Sequence, residues 1–463
     1  MLSTNGAPAP AVPVRRLSEW HAVSVCVGMV IGAGIFITTP LAAANLPGGW
    51  LIAAWIFGGA MSLAGALCFA EMATAFPDAG GDYNFLRRAY GDGAGFLFAW
   101  SRFAVIHTGS MALLGFTFGD YLATLVPLGE HGATLFAAAT IAALAAVNLA
   151  GLKFGIGTQV WLLWLVLAGM IAVIAAGVWL AAIGAPIAAQ FDPRNLPLSD
   201  GGGTFLQFAP GAALVYVFLA YGGWSDTATL SAEMRDAQHG MKRALIFGMG
   251  LVTVLYVLAN WAYLRGLSHY GLANSEAPAA DLMLHAFGAA GQALIVAIVA
   301  VTSIASMNAI LIAGARTTYA AARDTPRLAR LLGRWHVARG TPGGAIVATA
   351  SVALALVAFG AITRGGFSTM VDYLSPVYWL FLTLSGIALL VLRRRYPTAP
   401  RPFRVPWYPL VPLVFIASSL YVLYSSLAYV RVGAVAGVGV LAVGVVLLAV
   451  LRRSYPLAGS VSS

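Results

Sequence analysis

Apolar residues run along this chain in stretches of about 20 or more, separated by short basic or Pro/Gly-rich segments, and the pattern persists to its end. Such stretches match the length a helix needs to cross the hydrocarbon of a bilayer. They predict an all-α integral membrane protein with twelve spans. These fall at about 20–44, 49–75, 94–126, 132–150, 158–183, 206–232, 243–266, 285–321, 343–362, 367–392, 408–430 and 432–451. The first and sixth spans carry paired glycines near their centres, in Val30-Ile31-Gly32-Ala33-Gly34-Ile35 and Phe218-Leu219-Ala220-Tyr221-Gly222-Gly223-Trp224. Glycine costs about 1 kcal/mol relative to alanine inside a helix. Close helix packing on small residues accounts for either pair alone. Two pairs, each opening a block of five spans, predict discontinuous helices at matching positions of a five-plus-five inverted repeat.

The chain then divides into a disordered arm at 1–16, a first repeat at 17–183, an extracytoplasmic loop at 184–205 and a second repeat at 206–392. A cytoplasmic loop at 393–407, two further helices at 408–453 and a tail at 454–463 follow. No cleavable signal peptide is expected, because the first apolar segment is long, glycine-interrupted and followed at once by another span.

Only 9% of the residues are charged and 60% are hydrophobic, too little charge to solvate a soluble surface of this size. The net charge of +10 raises nucleic acid as a partner, but its placement argues for a membrane. With both termini cytoplasmic, the opposite side receives only Arg194, Arg265, Arg364 and Arg431, with Arg102 embedded; every other Lys and Arg is cytoplasmic. That asymmetry is the positive-inside rule, and it leaves no nucleic-acid role. Cys26 and Cys68 both fall inside spans, so no disulfide framework is expected. The Ala/Gly/Arg-rich composition points to a bacterial inner membrane.

Unwinding a helix in mid-membrane frees backbone groups that survive only when buried in protein, lining a cavity or meeting a ligand. Freed amides at a half-helix N-terminus suit a carboxylate, and freed carbonyls suit an ammonium. Two adjacent breaks therefore suit the zwitterionic end of an amino acid. The candidate substrate-binding residues are Val30, Ile31, Gly32, Ala33, Gly34, Ile35, Phe218, Leu219, Ala220, Tyr221, Gly222 and Gly223.

These residues resemble the first- and sixth-helix signatures of the amino acid–polyamine–organocation superfamily, and within it the L-type amino acid transporters and their bacterial relatives. Pro77-Asp78-Ala79-Gly80-Gly81-Asp82-Tyr83, Glu233-Met234-Arg235-Asp236, Ser306-Met307-Asn308 and Arg401-Pro402-Phe403-Arg404-Val405-Pro406 extend the likeness in the family's order. The resemblance implies the LeuT-like inverted-repeat fold and alternating access. It also implies a carboxylate site around Ala33-Gly34-Ile35, and an amine site on carbonyls near Ile31 and Phe218-Leu219-Ala220. Departures stand beside it. Ala33 replaces a frequent serine, and Leu219 occupies an aromatic gate position, with Phe218 next to it. Val160-Trp161-Leu162-Leu163-Trp164-Leu165-Val166 lacks the lysine that many members carry there. The loop Pro127–Gly132 lacks the cysteine that tethers a heavy chain in animal members, so no such partner is expected.

Polar residues inside the spans supply the gating and coupling candidates: Trp224, Asp226, His107, Thr302, Ser303 and Ser306. Asp226 reads either as a helix cap or as a selector of cationic side chains. His107 reads as a titrating coupler or as a hydrogen-bonded interior histidine. The hydroxyls of Thr302, Ser303 and Ser306 read as ligands or as bonds to helix backbone, with Thr302 favoured by family position. Glu71 and Glu233, near span ends, read as partners of the basic loops. No HExxH, nucleotide loop or paired catalytic aspartates occur, so no catalytic residue, metal or cofactor is assigned and no enzyme is expected. The sequence thus reads as a secondary active carrier of neutral L-amino acids, working by exchange or proton symport. A cationic amino acid or polyamine carrier using Asp226 is the related alternative, and a non-transporting amino acid sensor the alternative of another class.

Overall fold

The computed structural model describes residues 23, 26–28, 30–32, 34–77, 81–151, 156–185, 209–225, 237–323, 332–334, 341–429 and 432–454. The expected arm at 1–16, Ala33, Asp226 and Glu233–Asp236 lie outside the described residues. The helices are α1 (Ile35–Ala44), α2 (Leu51–Ala75), α3 (Asp82–Tyr90), α4 (Asp92–Ser101), α5 (Thr108–Ala123), α6 (Gly132–Leu149) and α7 (Ile156–Ala182). There follow α8 (Pro210–Ala220), α9 (Ala237–Ala273), α10 (Pro278–Arg323), α11 (Gly343–Ile362), α12 (Gly366–Arg395), α13 (Leu410–Ala428) and α14 (Val432–Ser454).

Ten described helical stretches are long and apolar enough to cross a membrane. The helices α1 and α8 are apolar but only 10 and 11 residues long. At 1.5 Å per residue each covers about 15 Å, half of a hydrocarbon core of about 30 Å. These two half-length helices pack against each other, and α2, α9 and α10 also contact α1 or α8. Elsewhere the spans meet through glycine. A Cβ at Gly119 of α5 would strike the Ala133 backbone of α6, and one at Gly437 of α14 would strike the Tyr373 carbonyl of α12. In a bilayer such close approach supplies the dispersion contact that holds helices together.

Three features depart from simple spans and loops. The segment after α2 contains the amphipathic helix α3, anchored where the Tyr90 hydroxyl donates to the Leu384 carbonyl of α12 (2.8 Å). The third span is not uniform: residues Arg102–His107 form a π-helical segment between α4 and α5. The connection from seventh to eighth span is helical on both sides, because α9 turns at Ser268 (φ 62°) and α10 at Gly288 (φ 68°). The short pieces between those turns cover the end of α1. The His269 side chain lies beside Gly48, and the Ala279 amide donates to the Tyr121 hydroxyl (3.3 Å).

At the other end of the bundle, Glu71 of α2 is fully buried. Arg393 of α12 donates to both of its carboxylate oxygens, Nε to Oε1 (2.7 Å) and Nη2 to Oε2 (2.5 Å). The Val405 amide donates to Oε2 (2.7 Å), and Arg401 Nε lies 3.5 Å from Oε1. Arg401 also donates to the Leu392, Tyr396 and Ala399 carbonyls, while the Arg393 guanidinium stacks on Tyr408. The basic-proline motif thus folds over Glu71, as the ion-pair reading of that residue expects. Removing one partner of a buried pair strands the other charge and costs about 3–5 kcal/mol. Glu71→Ala is expected to destabilise the protein by that order, seen as loss of monodisperse protein at a lower temperature in a detergent thermal-stability assay.

Candidate functional site

In the first span the helical ladder runs to Ile31, whose amide donates to the Val27 carbonyl (2.7 Å). It then fails: the Gly32 amide turns back to Val30 (2.8 Å), and helical bonding resumes with Thr38 donating to Gly34 (2.9 Å). No side chain caps the start of α1, so its first-turn amides face the interruption as a set of donors. In the sixth span α8 ends at Ala220. The Gly222 amide donates to the Leu219 carbonyl (2.9 Å), and Gly223 adopts φ +100°, a conformation open to glycine and strained for other residues. The chain leaves through a turn at Trp224 and Ser225.

The two interruptions touch. A Cβ on Gly34 would lie 3.9 Å from the Ala220 Cα. Between them stands Tyr256 of α9, whose hydroxyl lies 3.0 Å from the Val30 carbonyl and 3.1 Å from the Ala220 carbonyl. Its ring packs on Trp55 and Tyr221, with centroids 5.5 and 5.0 Å away, and the Tyr221 hydroxyl donates to the Trp55 carbonyl (2.9 Å). Sequence reading passes over Tyr256, yet a signal exists: a phenol midway along an apolar span needs a polar partner there.

Beside the second interruption lies a crevice lined by Met61, Ser62, Phe218, Trp224, Tyr378 and Trp379, with Leu382, Phe415, Ser418 and Ser419 behind them. A Cβ on Gly222 would lie 3.4 Å from the Tyr378 hydroxyl, so the interruption borders this crevice. Phe218 sets its ring edge-on between Phe57 (6.0 Å) and Trp379 (5.7 Å). Trp224 packs between Phe69 and Phe415. Leu219 is half-buried.

The other described candidates lie on the third and eighth spans. His107 ends the π-helical segment and accepts from Arg102 Nε at its Nε2 (3.2 Å), while the Arg102 guanidinium sits over Phe98 (5.6 Å). Arg102 is therefore a histidine partner. His107 faces Gly314 of α10, about 12 Å along that helix from Ser306 at 1.5 Å per residue. Thr302 donates to the Ile298 and Val299 carbonyls of its own helix (2.9 and 3.0 Å). Ser303 is fully buried, and its hydroxyl has no partner among the described residues. Ser306 is half-buried. Among the described residues no three His, Cys, Asp or Glu side chains converge to hold a metal ion.

A bundle of membrane spans in which two half-length helices meet at paired interruptions is the architecture of a secondary transporter. The sequence model of the amino acid permease family matches residues 17–451, and the chain belongs to that family. It is a multi-pass membrane transporter of amino acids. The chain is 29% identical to the serine/threonine exchanger SteT of Bacillus subtilis over 420 residues, 89% of this chain and 91% of that one. It is 30% identical to the b(0,+)-type amino acid transporter 1 of Oryctolagus cuniculus over 391 residues, 83% and 77% of the two chains. It is 28% identical to the large neutral amino acids transporter small subunit 2 of Mus musculus over 422 residues, 87% and 75%.

The geometry separates the glycines. A Cβ at Gly32 meets nothing within 4 Å, whereas one at Gly223 imposes a left-handed backbone that costs a non-glycine residue about 1–3 kcal/mol. Gly223→Ala is expected to cut initial uptake into liposomes roughly tenfold or more, and Gly32→Ala to cut it less.

Proposed function

We propose that this protein exchanges neutral L-amino acids across a bacterial inner membrane by alternating access, with both termini cytoplasmic. The observation that carries the reading is the contact between the two interruptions, which sets first-turn amides and a freed carbonyl side by side. The amides of α1 suit the substrate carboxylate, and the Ala220 carbonyl suits its ammonium. The adjoining crevice suits the side chain: its described lining is aromatic, aliphatic and hydroxylic, with no charged group. A cationic or acidic side chain would there lose hydration with no charged partner among the described residues, at a cost of several kcal/mol.

The names of the relatives support exchange and neutral substrates. In the fifth span, Trp161 and Trp164 of the lysine-free stretch turn outward at 71% and 66% exposure. In the orientation set by the basic loops, the Glu71 lock is cytoplasmic and the end of α1 extracytoplasmic. The Tyr121 hydroxyl donates to the Phe36 carbonyl (2.9 Å) and accepts from Ala279. These bonds correspond to a state closed toward the outside.

Purified protein in liposomes tests the reading. Labelled serine or leucine is expected to enter when an unlabelled neutral amino acid is inside, without need of sodium or a proton gradient. Binding without entry would sink it, and preferential arginine uptake would favour selection through Asp226. The crevice makes a finer expectation. An aromatic contact contributes about 0.5–1.5 kcal/mol beyond area burial, at most about tenfold in affinity. Trp379→Leu is expected to raise the KM for phenylalanine up to about tenfold relative to that for serine, measured by competition in the same liposomes.

A further inference from the structure

His269 is the first residue beyond the turn at Ser268 that ends the seventh span. Its ring lies against Gly48, in the link between α1 and α2, where an added Cβ would meet Cγ at 3.3 Å and Nδ1 at 3.6 Å. The imidazole is bonded to the Leu46 backbone, just past the end of α1. The Leu46 amide already donates to the Ala43 carbonyl (3.3 Å), so the ring donates to the Leu46 carbonyl. Nδ1 is buried and has no hydrogen-bond partner among the described residues, which leaves Nε2 for that bond. A neutral ring donating through Nε2 carries no proton on Nδ1 and needs no acceptor there. A second proton would place a charged N–H where nothing described receives it, and burial opposes that. Burial accordingly pulls the imidazole below the usual histidine range, against a smaller upward pull from the Leu46 bond. The charged groups nearby are otherwise engaged. The link at 45–50 and helix α1 carry no ionisable side chain. Arg265 of α9 donates to the Leu180 and Ala185 carbonyls (3.0 Å each), Asp281 of α10 accepts from Ser275 (2.6 Å), and Asp120 of α5 senses the exposed Glu276. Tyr263 and Tyr270 of α9 and His285 of α10 complete the titratable groups of these elements. None of them, among the described residues, sets how His269 titrates.

We propose that His269 is a proton-sensitive latch on the extracytoplasmic entrance, holding the piece after Ser268 on the end of α1 when neutral and favouring its release when protonated. The proposal rests on the reading that this structure is closed toward the outside. Opening brings Nδ1 into water, where the imidazole takes a proton more readily than in the closed state. Protons therefore shift the equilibrium toward opening. The shift begins as external pH falls through about 6.5, the ordinary histidine value, and is complete below the lowered value of the closed state. Above that range the ring is neutral in both states and pH has no effect through it.

A thiol reporter beneath the latch tests this. Ala42→Cys, at a fully buried position of α1, is placed in protein carrying Cys26→Ala and Cys68→Ala; Ala43→Cys, also fully buried, is the second reporter if the first does not fold. In right-side-out membrane vesicles, alkylation by a membrane-impermeant maleimide added outside is followed at external pH of about 7.5 and about 5.5, with internal pH fixed. The same reporter with His269→Gln is the reference, because dividing one rate by the other cancels the thiol's own response to pH. That ratio is expected to rise about threefold on acidification, within the limit of about tenfold for each unit by which the closed and open pKa values differ. His269→Arg, charged at both pH values, is expected to label faster than His269→Gln at both. A ratio that stays constant between the two pH values, or a His269→Arg variant that labels no faster than His269→Gln, would overturn the latch. Labelling only from the cytoplasmic face, in inside-out vesicles, would overturn instead the orientation on which the proposal rests.

Discussion

Inside a bilayer no water replaces a lost backbone hydrogen bond, so each place where a helix is interrupted must be answered by another group. In this protein the answer is repeatedly a buried tyrosine. Pro40 within α1 has no amide to give the Phe36 carbonyl, and the Tyr121 hydroxyl takes its place. At the π-helical segment, the Ala104 carbonyl receives the Tyr373 and Thr108 hydroxyls. At the paired interruptions, Tyr256 serves Val30 and Ala220 together. A buried acceptor left bare costs about 1–3 kcal/mol, so these phenols are what allows irregular backbone at that depth. Each also joins elements distant in sequence, and satisfying the backbone and fixing the tertiary arrangement become one act.

The same constraint gives the site its character. In the proposed function, backbone groups at the interruptions meet the charged end that every amino acid shares, and the crevice beside Gly222 meets the side chain. Its lining of Phe218, Trp224, Tyr378 and Trp379 offers area and a few hydroxyls, with no charge among the described residues. On that proposal, affinity for the common end and selection by side chain are carried by different parts of the molecule. The Glu71–Arg393–Arg401 cluster works differently: it holds α2, α12 and the basic-proline loop at one end of the bundle, away from the interruptions. There the charges are paired within the protein.

Much of the architecture was legible in the residues themselves, because bilayer thickness imposes a run length and the cost of buried charge imposes composition. Long apolar runs, and glycine pairs at the centres of the first and sixth, follow from those two rules, and the described helices stop at Val30 and Ala220 beside those glycines. Glu71 was legible as an ion-pair partner because a carboxylate at a span end has little else to do. Local sequence was a poorer guide wherever direction mattered. Phe218 and Leu219 are neighbours, and their order along a helix does not say which faces the substrate; the packing of Phe218 on Phe57 and Trp379 turns it toward α2 and α12. The partner of His107 was not legible either: it bonds Arg102, five residues earlier across the π-helical segment.

What the sequence by itself determined is the environment, the number and length of apolar runs, and the two places where a helix would be weakest, since hydrophobicity and glycine content are properties of single stretches. What only the tertiary structure decided is that those two places touch, that a tyrosine from a third span holds them, and that an aromatic crevice opens beside them. Each of these is a relation between segments far apart in the chain, settled by which helices pack together and which freed carbonyls find a donor.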